Sequence, residues 1–119
     1  MLDTKALLQT AVHAADEKRA EDIVALDMTK VSLLADYFVI MSAGSTRQVQ
    51  AIVDEIETQV KAAGGVDPRI EGNKDSKWIL MDFGDVVVNV FTPEERQFYN
   101  LEKLWQQAPL VDVSNWVNA

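Results

Sequence analysis

The sequence predicts an α/β domain in which a mixed sheet of four to five strands carries helices mainly on one face. Three observations predict it. Apolar residues recur at helical spacing in two segments, Leu7 to Ala15 and Val49 to Val60. Short β-rich runs follow both segments, and the last two runs flank a two-residue turn at Gly84 and Asp85. The length of 119 residues suits one such domain.

The N-terminal third is predicted to form one helix and two strands. The helix runs from about Thr4 to Arg19, because its apolar stripe lies among good helix formers. The strands are Ile23 to Asp27 and Asp36 to Met41, both too short and too apolar for an ordinary helix. Charged residues interrupt every apolar stretch near the N-terminus, so neither a signal peptide nor a membrane span is predicted. We therefore expect a cytoplasmic protein without a membrane partner.

A second helix is predicted from Ser45 to Gly64. Ser45, with Gln48 three residues later, fits a capping box, in which the two side chains satisfy backbone amides at the helix start. Gly64 suits the position just beyond the helix end, because glycine adopts a positive φ at little cost. A short strand at Pro68 to Glu71 is expected to follow.

The strands Trp78 to Phe83 and Val86 to Phe91 are predicted to form a β-hairpin. They flank Gly84 and Asp85, and a leading glycine suits a type II′ turn. Two-residue closure fixes the register, so alternate residues share a face. One face is purely apolar and is expected to meet the helices: Ile79, Met81, Phe83, Val86, Val88 and Val90.

The other face of the hairpin combines polar, aromatic and apolar side chains, and we call it the mixed face. Its residues are Trp78, Leu80, Asp82, Val87, Asn89 and Phe91. With three helices for four or five strands, one sheet face is expected to be bare, which leaves the mixed face for solvent or a partner. The alternative is that the C-terminal tail or a second copy of the chain covers it.

A last helix is predicted from Thr92 to about Gln107, with proline at its first position. It carries a cluster of large side chains: Phe98, Tyr99, Leu101, Leu104 and Trp105. Tyrosine, tryptophan and arginine are common anchors of protein interfaces, and Arg96 lies on the same segment. Packing in the core explains Phe98, Leu101 and Trp105 equally well.

The composition disfavours several kinds of function. Eleven Lys and Arg against nineteen Asp and Glu give a net charge of −8. Proteins that bind DNA or RNA usually present a basic face to the phosphates, so no DNA partner is expected. The chain contains no cysteine and has His13 as its single histidine, which disfavours zinc and thiol chemistry. We expect no metal and no cofactor.

One feature favours an enzyme. Gly44 and Ser45 lie at a strand-to-helix junction, a place where nucleotidyltransferases hold phosphate. Such enzymes also need two carboxylates at alternate positions on the next strand to hold Mg²⁺. That strand offers Asp67, Arg69 and Glu71, with a cation in the middle. We therefore predict no catalytic residue, and a nucleotide-binding or nucleotidyl-transferring enzyme is kept as the alternative.

Three ordered strings give this chain a family resemblance: DYFVIMSAGSTRQVQAI, EGNKDSKWILMDFGDVVVNVF and RQFYNLEKLW. They resemble the Iojap-like ribosomal silencing factors, known in bacteria as ribosomal silencing factor S, over about Leu8 to Trp105. The resemblance implies a silencing factor domain at residues 1–105 and a C-terminal extension without assigned role at 106–119. It also implies a nucleotidyltransferase-like fold without the catalytic carboxylates.

The function that the resemblance implies is not enzymatic. Such proteins bind the large ribosomal subunit through large-subunit ribosomal protein fourteen, block joining of the small subunit and repress translation under nutrient limitation. A homodimer of the free protein, or a dimeric scaffold without ribosome contact, stays open. The expected partner-binding residues are Trp78, Leu80, Asp82, Asn89, Arg96, Tyr99, Leu101, Glu102, Leu104 and Trp105. The family usually has a histidine where this chain has Asn89, whose amide can still form hydrogen bonds.

Overall fold

The computed structural model describes residues 2–117. Its elements in chain order are α1 (Thr4–Glu17), β1 (Glu21–Asp27), β2 (Tyr37–Ser42), α2 (Thr46–Ala62), β3 (Arg69–Glu71), β4 (Trp78–Asp82), β5 (Val86–Phe91), α3 (Pro93–Tyr99), α4 (Leu101–Leu104) and β6 (Leu110–Val111). The sheet order is β3-β4-β5-β2-β1-β6. Strands β2 and β5 are parallel and the other neighbours are antiparallel, so the predicted mixed sheet is confirmed.

The predicted number of strands was too low. Residues 2–117 form a sheet of six strands, and the sequence analysis missed β6. This strand is two residues long and pairs Leu110 with Leu26 and Val111 with Ala25 of β1. Two residues are too few to show an alternating pattern, so the segment after Gln106 gave no strand signal. In the structure this segment supplies one edge of the sheet.

The hairpin has the predicted register. Met81 faces Val88 and Trp78 faces Phe91 across β4 and β5. Gly84 has a φ of +93°, as the leading position of a type II′ turn requires. All six residues of its apolar face are buried, and they pack with the apolar stripes of α1 and α2 in the main core. The two long helices therefore cover one sheet face, as expected.

The start of α2 differs in one detail from a capping box. The Ser45 hydroxyl accepts a hydrogen bond from the Gln48 amide at 3.2 Å, as predicted. The Gln48 side chain accepts one from the Gly44 amide at 3.0 Å, one residue earlier than the motif requires. Gly64 follows the helix end with a φ of +92°, which confirms the predicted stop.

The prediction of one continuous last helix to Gln107 was wrong. Asn100 adopts a left-handed conformation with a φ of +47°, and it separates α3 from α4. Asparagine tolerates this conformation better than most residues, and periodicity alone does not reveal such a break. Thr92 precedes α3 without capping it through its side chain, since its buried hydroxyl has no hydrogen-bond partner among the described residues. The chain therefore changes direction at Asn100.

None of the helices formed by residues 2–117 combines the length and the apolar character that a membrane crossing requires.

Candidate protein-binding surface

A second, smaller core lies on the sheet face opposite α1 and α2. It consists of Leu26, Met28, Ile40, Phe91 and Ala108, with Trp105 and Leu101 packed against it. The Trp105 ring meets Phe38 of β2 edge-on, at a centroid distance of 5.9 Å. The expectation of a bare sheet face is therefore corrected, because the segment after Asn100 covers part of this face. The part left open lies over β4 and the end of α3.

Trp78 is held in a fixed orientation on the mixed face. Its indole N–H donates to the Asn89 side-chain oxygen at 3.1 Å, and the Asn89 amide donates to the Val39 carbonyl at 3.4 Å. The Trp78 ring stacks on Phe91 at 4.9 Å and meets Tyr99 at 4.7 Å between centroids. The ring is half-buried, and its remaining surface lines a shallow cavity with Leu80. Trp78 is thus a rigid side chain that is partly open to solvent.

Exposed aromatic side chains continue this surface onto α3. Tyr99 is 45% exposed and Phe98 is 78% exposed, and their rings meet edge-on at 5.1 Å. We call Trp78, Phe98 and Tyr99 the aromatic patch. Leu104 of α4 is also 68% exposed. Large apolar side chains that cluster at the surface of a soluble domain commonly mark a site of protein contact.

The ten predicted partner-binding residues have different environments. Tyr99 and Leu104 are exposed, and Asn89 is 1% exposed. The rest are of intermediate burial: Trp78, Leu80, Asp82, Arg96, Leu101, Glu102 and Trp105. Because Asn89 is buried beneath Trp78, it acts on this surface through its hydrogen bond to the indole.

The structure brings some of these residues into contact and separates others. Trp78, Asn89 and Tyr99 form one connected group. Arg96 and Glu102 form a second group, joined by an ion pair with a nitrogen-to-oxygen distance of 2.9 Å. Asp82 lies four residues along β4 from Trp78, which is about 13 Å by strand geometry. Its carboxylate accepts the Gly84 amide at 2.8 Å and so stabilises the hairpin turn.

Sequence reasoning missed Phe98 and an exposed leucine pair. Core packing was an alternative interpretation of Phe98, but its side chain near the end of α3 lies in solvent. Leu33 is fully exposed and Leu34 is 78% exposed, in the loop between β1 and β2. No periodic pattern covers that loop, so the sequence contained no signal for either leucine.

The start of this loop is held by Asp27. The Thr29 hydroxyl donates to the Asp27 carboxylate at 2.6 Å, and the Thr29 amide donates to the same oxygen at 3.0 Å. These two hydrogen bonds, the hydroxyl first, hold the pKa of Asp27 below its ordinary value. The loop thus leaves β1 in a defined direction.

The residues considered for an enzyme do not form a metal centre. Arg69 lies between the carboxylates, with its guanidinium 3.9 Å from Glu71 and 3.6 Å from Asp82. Within residues 2–117, no group of three or more acidic or histidine side chains is arranged to hold a metal ion.

Asn89→Ala should lower the free energy of unfolding by about 1 to 3 kcal/mol, because it leaves the partly buried Trp78 indole N–H and the Val39 carbonyl without their partner. Chemical denaturation followed by Trp fluorescence measures this. Gln50→Ala is the control, since the Gln50 side chain also donates a hydrogen bond, to Asp54, but that bond is open to solvent on α2. Equal stabilities of the two variants would show that the buried hydrogen bonds contribute nothing.

These observations define a mixed α/β domain with a rigid, partly exposed aromatic surface. Residues 2–119 match the family model described as "Ribosomal silencing factor during starvation". The chain belongs to this ribosomal silencing factor family, and the resemblance seen in the sequence is confirmed. The name of the family implies ribosome-associated regulation of translation.

Individual relatives support the same assignment. The chain is 50% identical over 117 residues to ribosomal silencing factor RsfS of Bacillus subtilis, covering 98% of this chain and 99% of that protein. A crystal structure of a Chromobacterium violaceum protein superimposes with a TM-score of 0.84 at 33% identity, covering 88% of both chains. A mouse protein named "Mitochondrial assembly of ribosomal large subunit protein 1" is 35% identical over 92 residues, which are 75% of this chain and 40% of the mouse protein.

Proposed function

We propose that this protein binds the large ribosomal subunit through large-subunit ribosomal protein fourteen and sterically blocks joining of the small subunit. It thereby represses translation when nutrients are limiting. The observation that carries the proposal is family membership over nearly the whole chain, together with an aromatic patch that is partly open to solvent. The mouse relative, named for assembly of the large subunit, supports the choice of subunit.

The charge and the shape of the chain suit such a partner. The net charge of −8 complements a basic ribosomal protein and favours rapid association. A stable interface of ordinary size buries about 1,600 Å² in total. The open part of the second sheet face, over β4 and the end of α3, is proposed to form one side of such an interface. A second molecule of this chain could cover the same surface, which supports the proposal of a homodimer in the free state.

The predicted residues divide into direct contacts and supporting residues. We propose direct contacts from those that are neither buried nor tied into an ion pair: Trp78, Leu80, Tyr99, Leu101, Leu104 and Trp105. Phe98 joins them because it is exposed beside Tyr99. Asp82 is proposed to support the surface, since it pairs with Arg69 and accepts the Gly84 amide of the hairpin turn. Asn89 supports Trp78 from below. Arg96 and Glu102 are bound to each other and hold the neighbouring helices.

The proposal describes a cytoplasmic protein that works by binding and not by catalysis. Its fold is proposed to be nucleotidyltransferase-like without the catalytic carboxylates. The position of Gly44 and Ser45 between β2 and α2 supports this relation, and Arg69 between Glu71 and Asp82 supports the loss of a metal site. The alternative of a nucleotide-binding enzyme is tested by calorimetry with nucleoside triphosphates and Mg²⁺, in which we expect no heat of binding.

The protein should co-sediment with isolated large ribosomal subunits and not with preformed full ribosomes, because the small subunit already occupies the proposed site in the latter. Sucrose-gradient centrifugation followed by immunodetection measures binding to the large subunits and to the full ribosomes. Isolated small subunits serve as the control for non-specific adsorption. Equal binding to large subunits and to full ribosomes would exclude the steric mechanism.

A further inference from the structure

Arg96 connects two helices to the sheet through a largely buried guanidinium. Its side chain is 12% exposed. Its Nε donates to the Glu102 carboxylate of α4 at 2.9 Å, and its Nη1 donates to the Ser42 hydroxyl at 2.8 Å and, at the longer distance of 3.5 Å, to the Glu21 carbonyl of β1. Ser42 is the last residue of β2 and is only 4% exposed. One side chain of α3 therefore links α4 to the end of a central strand.

The short helices need such a connection. Helix α3 has seven residues and α4 has four, and helices of this length are not stable without tertiary contacts. They meet at Asn100, whose left-handed conformation sets a turn but does not fix α4 against the sheet. The Arg96 fork is planar and directs its donors to two side-chain acceptors at once. Arg96 thus orients α4 relative to the sheet, which the turn at Asn100 alone does not do.

We propose that Arg96 is a positioning residue, which holds α4 at the end of β2 and thereby sets where Leu104 and Trp105 lie for the ribosomal partner. This inference rests on the proposed function. Arg96 acts through Glu102 and Ser42, and it does not itself form the main contact with the partner. Its importance for binding is therefore indirect.

The test compares two arginines replaced by lysine. Arg96→Lys keeps the charge but loses the planar fork, so one of the two acceptors loses its donor. We expect its affinity for purified ribosomal protein fourteen, measured by calorimetry, to fall about tenfold. Arg47→Lys is the matched control, because Arg47 is exposed on α2, which packs on the opposite sheet face from Leu101 and Trp105, and we expect no change. Ser42→Ala removes only the strand end of the link and should weaken binding less than Arg96→Lys.

A double-mutant cycle with Trp105→Ala separates positioning from direct contact. If Arg96 positions α4, Trp105 is already displaced in Arg96→Lys, so Trp105→Ala should cost less affinity in that background than in the wild type. Additive losses would show that Arg96 is an independent contact and would overturn the proposal. An unchanged affinity of Arg96→Lys would overturn it as well.

Hydrogen exchange keeps the inference testable without the ribosome. In the wild type the Leu104 amide donates to the Asn100 carbonyl at 3.2 Å and the Trp105 amide donates to the Leu101 carbonyl at 2.9 Å. Both amides should exchange faster in Arg96→Lys, with exchange in β2 and β5 unchanged. Unaltered exchange at α4, or a uniform increase across the sheet, contradicts the positioning role.

If the wild-type protein does not bind ribosomal protein fourteen, the proposed function fails. The exchange experiment still decides whether Arg96 positions α4, because it does not use the ribosomal partner.

Discussion

Met81→Ala should lower the free energy of unfolding by about 2 to 5 kcal/mol while leaving the partner surface in place. Met81 is fully buried in the middle of β4, where it faces Val88 and packs with the apolar side chains beneath α1 and α2. Truncation removes its methylene and thioether contacts and leaves a cavity, because a sheet enclosed by two helices relaxes only in part. Urea denaturation monitored by circular dichroism measures the loss.

The next residue of the same strand is the control for this prediction. Leu80 points to the mixed face and is only half-buried, so Leu80→Ala should cost clearly less stability than Met81→Ala. At a temperature where both variants are folded, Met81→Ala should still bind ribosomal protein fourteen and Leu80→Ala should bind it less well. A larger loss of stability for Leu80→Ala would mean that the two faces of the hairpin have been interchanged.

The hairpin was predictable because one short turn determines many contacts. A two-residue loop at Gly84 and Asp85 leaves a single register, and alternation then assigns each side chain to a face. The same logic holds for α2, where Ser45 and Gly64 mark the two ends and the apolar stripe marks the buried side. Local residue types thus determined these elements and their orientation.

The C-terminal third could not be predicted because its structure depends on tertiary contacts. Helices α3 and α4 look like one helix in the sequence, because asparagine as a residue type occurs both within helices and in the left-handed conformation that Asn100 adopts at the break. The break is favoured by contacts between residues that are far apart in the sequence. Trp105 packs on Phe38, and Arg96 donates a hydrogen bond to Ser42. Strand β6 depends in the same way on pairing with β1 and not on its own two residues.

The sequence predicted which face of the hairpin each side chain lies on, but it did not predict which of these side chains are exposed. Face assignment located Trp78 correctly, and the choice of an aromatic anchor on the last helix located Tyr99. Asn89 shares that face yet is buried beneath Trp78, whose indole N–H donates to the Asn89 side-chain oxygen. Alternation along a strand reports the direction of a side chain and not what covers it. Exposure within the mixed face therefore required the structure.

Phe98→Asp should weaken binding to ribosomal protein fourteen by about a hundredfold, which is roughly 2.7 kcal/mol. Phe98 is 78% exposed and contacts Tyr99 edge-on, so the ring has a large free surface for a partner. Aspartate removes that surface and places a carboxylate where the complex would have to desolvate it. The melting temperature should change little, because the side chain is already in solvent. The affinity is measured by titrating each variant over ribosomal protein fourteen that is immobilised on a sensor surface.

Val66→Asp is the matched control for this last experiment. Val66 is also exposed, at 62%, but it lies in the connection between α2 and β3 and lines a cavity with Leu7 on the α1 side. The same apolar-to-acidic change there should leave the affinity unaltered. If both variants lose affinity equally, the added charge and not the aromatic patch is responsible. If Phe98→Asp binds as tightly as the wild type, the ribosomal contact does not use α3, and the proposed surface must be abandoned.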